Sequence, residues 1–197
     1  MPREPEDPAN REPARTSSPR VAERLFDRRT VLLFGEVTMA LAERVSAQLL
    51  ALAAESDAPI LMLVNSPGGH VESGDTVYDV IRFIAPEVRV LGSGWVASAG
   101  ALIYAAAARH NRYALPNTRF LLHEPSGGFG GPAADIEIEA RQILAMRARL
   151  NDIFAAATGQ PADKIARDTE RNHWLTADEA RDYGLVGRVV AHVSEVG

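Results

Sequence analysis

Residues 92–125 read GSGWVASAGALIYAAAARHNRYALPNTRFLLHEP, directly after the apolar run Val88-Arg89-Val90-Leu91. Ser98 stands between Ala97 and Ala99, with Gly94 and Gly100 nearby, so nothing bulky crowds its hydroxyl. A β-strand that turns at once into an alanine-rich helix puts Ser98 at the helix N-terminus. There, free backbone N–H groups and the positive dipole end favour a developing oxyanion. The segment closes on an apolar strand over 119–123 that ends in His-Glu-Pro. A serine nucleophile needs a base, and His123 is the first candidate. The same two residues equally suit a helix N-cap and a hydrogen-bonded strand end, so this stretch alone leaves both readings open.

Outward from it, strand and helix alternate. Thr30–Phe34 is a short apolar strand closed by Gly35. Met39–Glu55 carries Leu41, Val45, Leu49 and Leu52 at helical spacing. Pro59 resets the chain into an apolar strand over 60–64, followed by Asn65-Ser66-Pro67-Gly68-Gly69. A helix over 73–84 presents Val77, Val80, Ile81 and Ile84 on one face and stops before Pro86. Pro132 and Asp135 open a long helix that ends at Gly159-Gln160-Pro161. Short helices over 162–167 and 176–183 and a last strand over 187–193 complete the pattern. Apolar strands without strict polar alternation predict an α/β fold whose mainly parallel sheet is covered on both faces. In such sheets the working loops follow the carboxyl ends of strands. The Gly68-Gly69 loop, the Ser98 turn and His123 all follow strands in this way. Paired glycines there bring bare N–H groups close to a substrate carbonyl.

Composition narrows the classes. The 197 residues, 46% apolar and 24% charged, fit one globular domain. A net charge of −5 without a basic block argues against nucleic-acid binding. No apolar run reaches membrane-spanning length, and residues 1–20, rich in proline and charge, contain no signal core. We therefore expect a disordered tail over 1–20, a single domain over 21–197 and a cytoplasmic protein. The absence of cysteine excludes a thiol nucleophile and thiolate metal sites. Neither a metal nor a cofactor is expected.

Several motifs together carry a resemblance: Asn65-Ser66-Pro67-Gly68-Gly69, the Ala-Ser-x-Gly around Ser98, Leu115-Pro116-Asn117, His123-x-Pro125, Ser126-Gly127-Gly128 and Asp168-Thr169-Glu170-Arg171. In order and spacing they resemble the proteolytic subunit of the Clp protease family over about Leu25 to Val190. The resemblance implies a ClpP/crotonase-type fold of repeated ββα units with a protruding strand-helix handle, here Gly127–Gly131 and the helix from Asp135. It implies Ser98 as nucleophile, His123 as general base, and the Gly69 and Ala99 N–H groups as oxyanion hole. It also implies two stacked heptameric rings acting on unfolded polypeptides, with ATP used by a partner AAA+ unfoldase and not by this chain.

Three places depart from the family pattern. The third triad position, normally aspartate, is Asn172 in the run Glu170-Arg171-Asn172. Its amide oxygen can orient the imidazole but supplies no charge to the imidazolium, which predicts a slow or conditional Ser-His-Asn peptidase. Asp168 and Asp178 are the alternative carboxylates. Leu61 and Leu63 replace tyrosines at the unfoldase-docking surface, although Phe83 and Tyr113 keep aromatic character there. The segment Ser18–Glu23 lacks the family's usual axial-loop sequence. These departures suggest a mixed barrel with a related subunit, or a catalytically weak structural one. A crotonase-like acyl-CoA enzyme and a Ser-Lys dyad using Lys164, the only lysine, are weaker alternatives.

Overall fold

Three parallel strands form the centre of the molecule: Thr30–Phe34 (β1), Ile60–Ser66 (β2) and Val88–Ala97 (β3). The structure is a computed structural model and describes residues 18–125 and 131–196, with only the backbone of Ala133 and Ala134. Most of the expected tail and the handle's glycine run over 127–130 lie outside the described residues. Ser18 caps the first helix, Pro19–Asp27 (α1), so regular structure begins slightly before the boundary read from the sequence.

Met39–Glu55 (α2) starts at Thr38, whose hydroxyl accepts from Leu41 N at 3.2 Å, and buries Leu41, Val45, Leu49 and Leu52 as its spacing requires. Val71–Phe83 (α3) and Ala99–Ala105 (α4) follow β2 and β3. The sheet runs β1-β2-β3 and on to Arg112–Ala114 (β4) and Arg188–Val189 (β7), all parallel. Arg119–Leu122 (β5) branches from β3, and His173–Thr176 (β6) pairs antiparallel with β5. Ala133–Thr158 (α5) is the long helix, and Ala162–Thr169 (α6) and Ala177–Tyr183 (α7) complete the set. Residues 135–142 of α5 are all exposed, and its fully buried positions begin at Leu150. The α/β class with a parallel-dominated sheet is therefore as expected.

β3 is longer than the apolar run Val88–Leu91 that marks it in the sequence. The register shifts between Val64 and Ser66, Gly94 takes φ +65°, and the strand bends and continues to Ala97. The bend divides its partners. Val90–Gly92 pair with β4, and Trp95–Ala97 pair with β5. β4 and β6 are too short for periodicity to reveal them.

The main core lies between the sheet and the helices, with Leu33, Leu49, Ile60, Met62 and Val64 wholly buried. Tyr104 packs edge-on against Phe120 at 5.2 Å and donates to Tyr113 O at 2.8 Å. The other face differs from expectation. A smaller cluster of Leu91, Tyr113 and Val190, with Leu61, Leu63, Leu115 and Val196 against it, contains no helix residue. Among the described residues, the side chains of this cluster come from strands and the segments next to them.

Candidate active site

Ser98 is the hinge between β3 and α4. Its N–H donates to Leu121 O at 2.9 Å and its carbonyl accepts from Leu102 N at 3.0 Å, so strand pairing and the first helical turn fix it from both sides. The result is φ 54°, ψ −122°, a backbone state that side-chain-bearing residues avoid. It occupies the N-cap position, yet its side chain makes no capping hydrogen bond. The capping reading of Ser98 therefore has no bond behind it among the described residues. A strained strand-to-helix turn that presents a serine is also the geometry of a nucleophile elbow.

The Gly68-Gly69 loop lies against this serine. A Cβ on Gly68 would sit 2.6 Å from Ser98 Cβ and 3.1 Å from its Oγ, and one on Gly69 would meet Val37 O at 2.5 Å. Both have positive φ, +95° and +144°. The loop is held by Val37 N to Gly68 O at 2.7 Å, His70 N to Val37 O at 2.8 Å and Gly68 N to Ser66 Oγ at 3.1 Å. Among the described residues, neither the Gly69 nor the Ala99 N–H finds an acceptor.

β5 brings His123 alongside. Ala97 pairs with Leu121, and Leu122 pairs with His173, so His123 follows directly at the end where Asn172 precedes β6. Ser98 and His123 line one narrow apolar cleft with Val71, Leu102, Leu150 and Phe154, whose free room of about 10 Å³ is that of one water. His123 and Asn172 line a second, open groove with Glu124, Glu170 and Arg171. The structure thus gathers Ser98, His123, Asn172 and the Gly69 loop at one sheet edge. No hydrogen bond joins Ser98 to His123, or His123 to Asn172, among the described residues, and Asn172 is exposed. Catalytic contacts are often loose before substrate binds. Burial holds the His123 pKa below the ordinary histidine value, and the negative charge of Glu124 opposes that shift.

The alternative residues are engaged elsewhere. Asp168 accepts from Lys164 Nζ at 2.5 Å and from Tyr183 Oη at 2.7 Å, and Asp178 pairs with Arg181 at 2.6 Å. Among the described residues neither carboxylate has a hydrogen bond to His123, and Lys164 has none to Ser98. His70 bonds Ser73 Oγ through Nδ1 at 2.8 Å, His110 lies 3.9 Å from Glu87, and His173 packs on the Tyr183 ring. Glu137 and Arg141 form an i, i+4 contact on α5 at 3.8 Å. The sequence reading missed Glu124, whose Oε2 lies 2.9 Å from Arg147 Nε on α5, and it missed the apolar cleft beside Ser98. Glu124 was visible in His-Glu-Pro, but a partner 23 positions away on another element leaves no local trace.

Comparison with known proteins shows the family. A family model described as Clp protease matches residues 13–193. The chain is 59% identical over 172 residues to the ATP-dependent Clp protease proteolytic subunit 3 of Rhizobium meliloti (strain 1021), covering 87% of this chain and 88% of that one. It is 56% identical over 177 residues to the ATP-dependent Clp protease proteolytic subunit of Paracoccus denitrificans, covering 90% and 89%. Among solved structures, ClpP1 from Listeria monocytogenes superposes with a TM-score of 0.82 at 47% identity, and an asparagine-to-aspartate mutant of it at 0.84 and 48%. Each comparison covers 90% of this chain and 99% of the other.

Proposed function

We propose that this chain, which belongs to the Clp protease family, is a serine endopeptidase subunit that cleaves unfolded polypeptides through an acyl-enzyme on Ser98. The observation that carries the reading is Ser98 itself, held at φ 54° with a hydroxyl that caps nothing, in one cleft with His123. His123 takes the hydroxyl proton as Oγ attacks the peptide carbonyl. The negative charge that develops on the carbonyl oxygen is received by the Gly69 and Ala99 N–H groups. His123 then gives its proton to the departing amine, and a water deprotonated by the same ring releases the acyl group. The half-buried imidazole stays neutral at neutral pH and is therefore competent as a base. Asn172 orients the ring but leaves the imidazolium without an anion behind it, so the chemistry is slow.

The working form is two stacked heptameric rings, of this chain alone or together with a related subunit, fed by an AAA+ unfoldase that uses ATP. This chain holds no cofactor, and we place it in the cytoplasm. The numbered subunit names of the relatives support mixed rings. The second reading, a catalytically weak subunit of a mixed barrel, is favoured by one observation, the exposed Asn172 without a bond to His123. Hydrolysis of a short fluorogenic peptide by the purified chain, alone and with an unfoldase, separates the two. Asn172→Asp is expected to raise kcat by at least about tenfold, since the reverse exchange in serine proteases costs about 10⁴. A variant rate equal to or below that of the unmodified chain would remove Asn172 as the limit on chemistry.

A further inference from the structure

We propose that Glu124 is a positioning residue for His123, supplying from the neighbouring position the negative charge that Asn172 lacks, with Arg147 on α5 setting how much of that charge His123 feels. The inference rests on the reading of His123 as the base of Ser98.

The residue is held in place at both ends. Its N–H donates to Thr169 O at 2.8 Å, which pins the connection after β5 to the end of α6. Its carboxylate Oε2 lies 2.9 Å from Arg147 Nε. The two side chains are only 36% exposed, and Oε2 itself is closed off from solvent without an aligned hydrogen bond. The contact is therefore an approach of charges rather than a bidentate fork. A partly buried carboxylate of this kind is screened far less than a surface one. It lines the same groove as the adjacent His123, where its negative charge opposes the effect of the ring's burial.

Other charges near the ring do not replace it. Glu170 and Arg171, from the connection between α6 and β6, line the same groove, but both are exposed and of opposite sign. Asp168 is bound to Lys164 and Tyr183. The His173 ring faces Tyr183. From α3, β3 and α4 the cleft receives Val71, Ser98, Ala99 and Leu102, with no ionised side chain. Arg147 belongs to the long helix that reaches outward from the fold. A shift of that helix which separates Arg147 from Glu124 would leave the carboxylate unneutralised and make His123 a stronger base.

The test is a titration of the His123 imidazole by NMR in the full chain, its signal identified by loss in His123→Gln. The pH dependence of Ser98 acylation by a fluorophosphonate is measured in parallel. Glu124→Gln is expected to lower the His123 midpoint by about half a pH unit or more and to slow acylation about tenfold. Arg147→Gln should raise the midpoint, and this effect should vanish when Glu124→Gln is already present. Glu124→Asp, which keeps the charge, should keep most of the unmodified midpoint. A midpoint unmoved by Glu124→Gln would overturn the proposal, as would an Arg147→Gln shift of equal size in both backgrounds. The NMR midpoint is read whether or not Ser98 is acylated. Loss of acylation in the unmodified chain would therefore count against the peptidase reading and not against this one.

Discussion

Ser98 shows at the scale of one residue how far a sequence can be read. Its small neighbours and its place after an apolar run identified it, but they did not separate a cap from a nucleophile. The structure adds the backbone torsions and a hydroxyl that caps nothing, and both depend on β5 and the Gly68 loop closing around the turn. His123 carries a prediction of its own. Burial disfavours its charged form, so its folded-state pKa lies below the ordinary value of about 6.5. The base is the neutral ring. kcat/KM should therefore be flat near neutral pH and fall only as the pH drops through a midpoint below 6.5. An acid limb centred above pH 7 would mean that another group, or a much more strongly charged surrounding, controls the base. Asn172 was legible by its place in Glu-Arg-Asn. That it stands exposed, without a bond to His123, was not, because β6 is four residues long and its pairing depends on β5.

At the scale of elements, the long apolar helices and central strands were plain in the sequence, and α2 ran as its spacing foretold. What holds α2 at its far end was not plain. Arg29, at φ +51°, donates to the carbonyls of Leu52 at 3.0 Å, Ser56 at 2.9 Å and Ala58 at 3.1 Å. These close the last turn of the helix and the loop behind it, where a cation also meets the negative dipole end. No pattern of residue types announces such a clamp, since its acceptors are main-chain atoms more than 20 positions away. Arg29→Ala should lower stability by about 1–3 kcal/mol and the melting temperature by about 2–8 °C. Thermal unfolding followed by circular dichroism measures it, and an unchanged melting point would show that water serves these carbonyls equally well. β3 makes the complementary point: its apolar run stops at Leu91, yet the strand continues through Gly92 and Gly94 and changes partners there.

On the scale of the whole molecule, α5 extends from the fold with Ile136, Ile138 and Leu144 at 43%, 48% and 61% exposure. A helix this apolar and this exposed needs a partner surface. We expect the chain to sediment as a ring assembly, and Leu144→Asp to shift it toward smaller species. A monomer in the unmodified chain would contradict the stacked-ring reading. The described residues contain no helix long and apolar enough to cross a membrane. Fold class and the gathering of Ser98, His123 and the Gly69 loop at one sheet edge follow from the order of strands and loops. The state of the catalytic contacts depends on long-range packing that no local pattern encodes. The most direct measurement is therefore chemical: the chain is treated with a fluorophosphonate and the adduct is located by mass spectrometry of its peptides. A single adduct on Ser98, absent from Ser98→Ala and greatly reduced in His123→Ala, is the expected result. An unlabelled Ser98, or labelling that persists undiminished without His123, would contradict a serine nucleophile activated by this histidine.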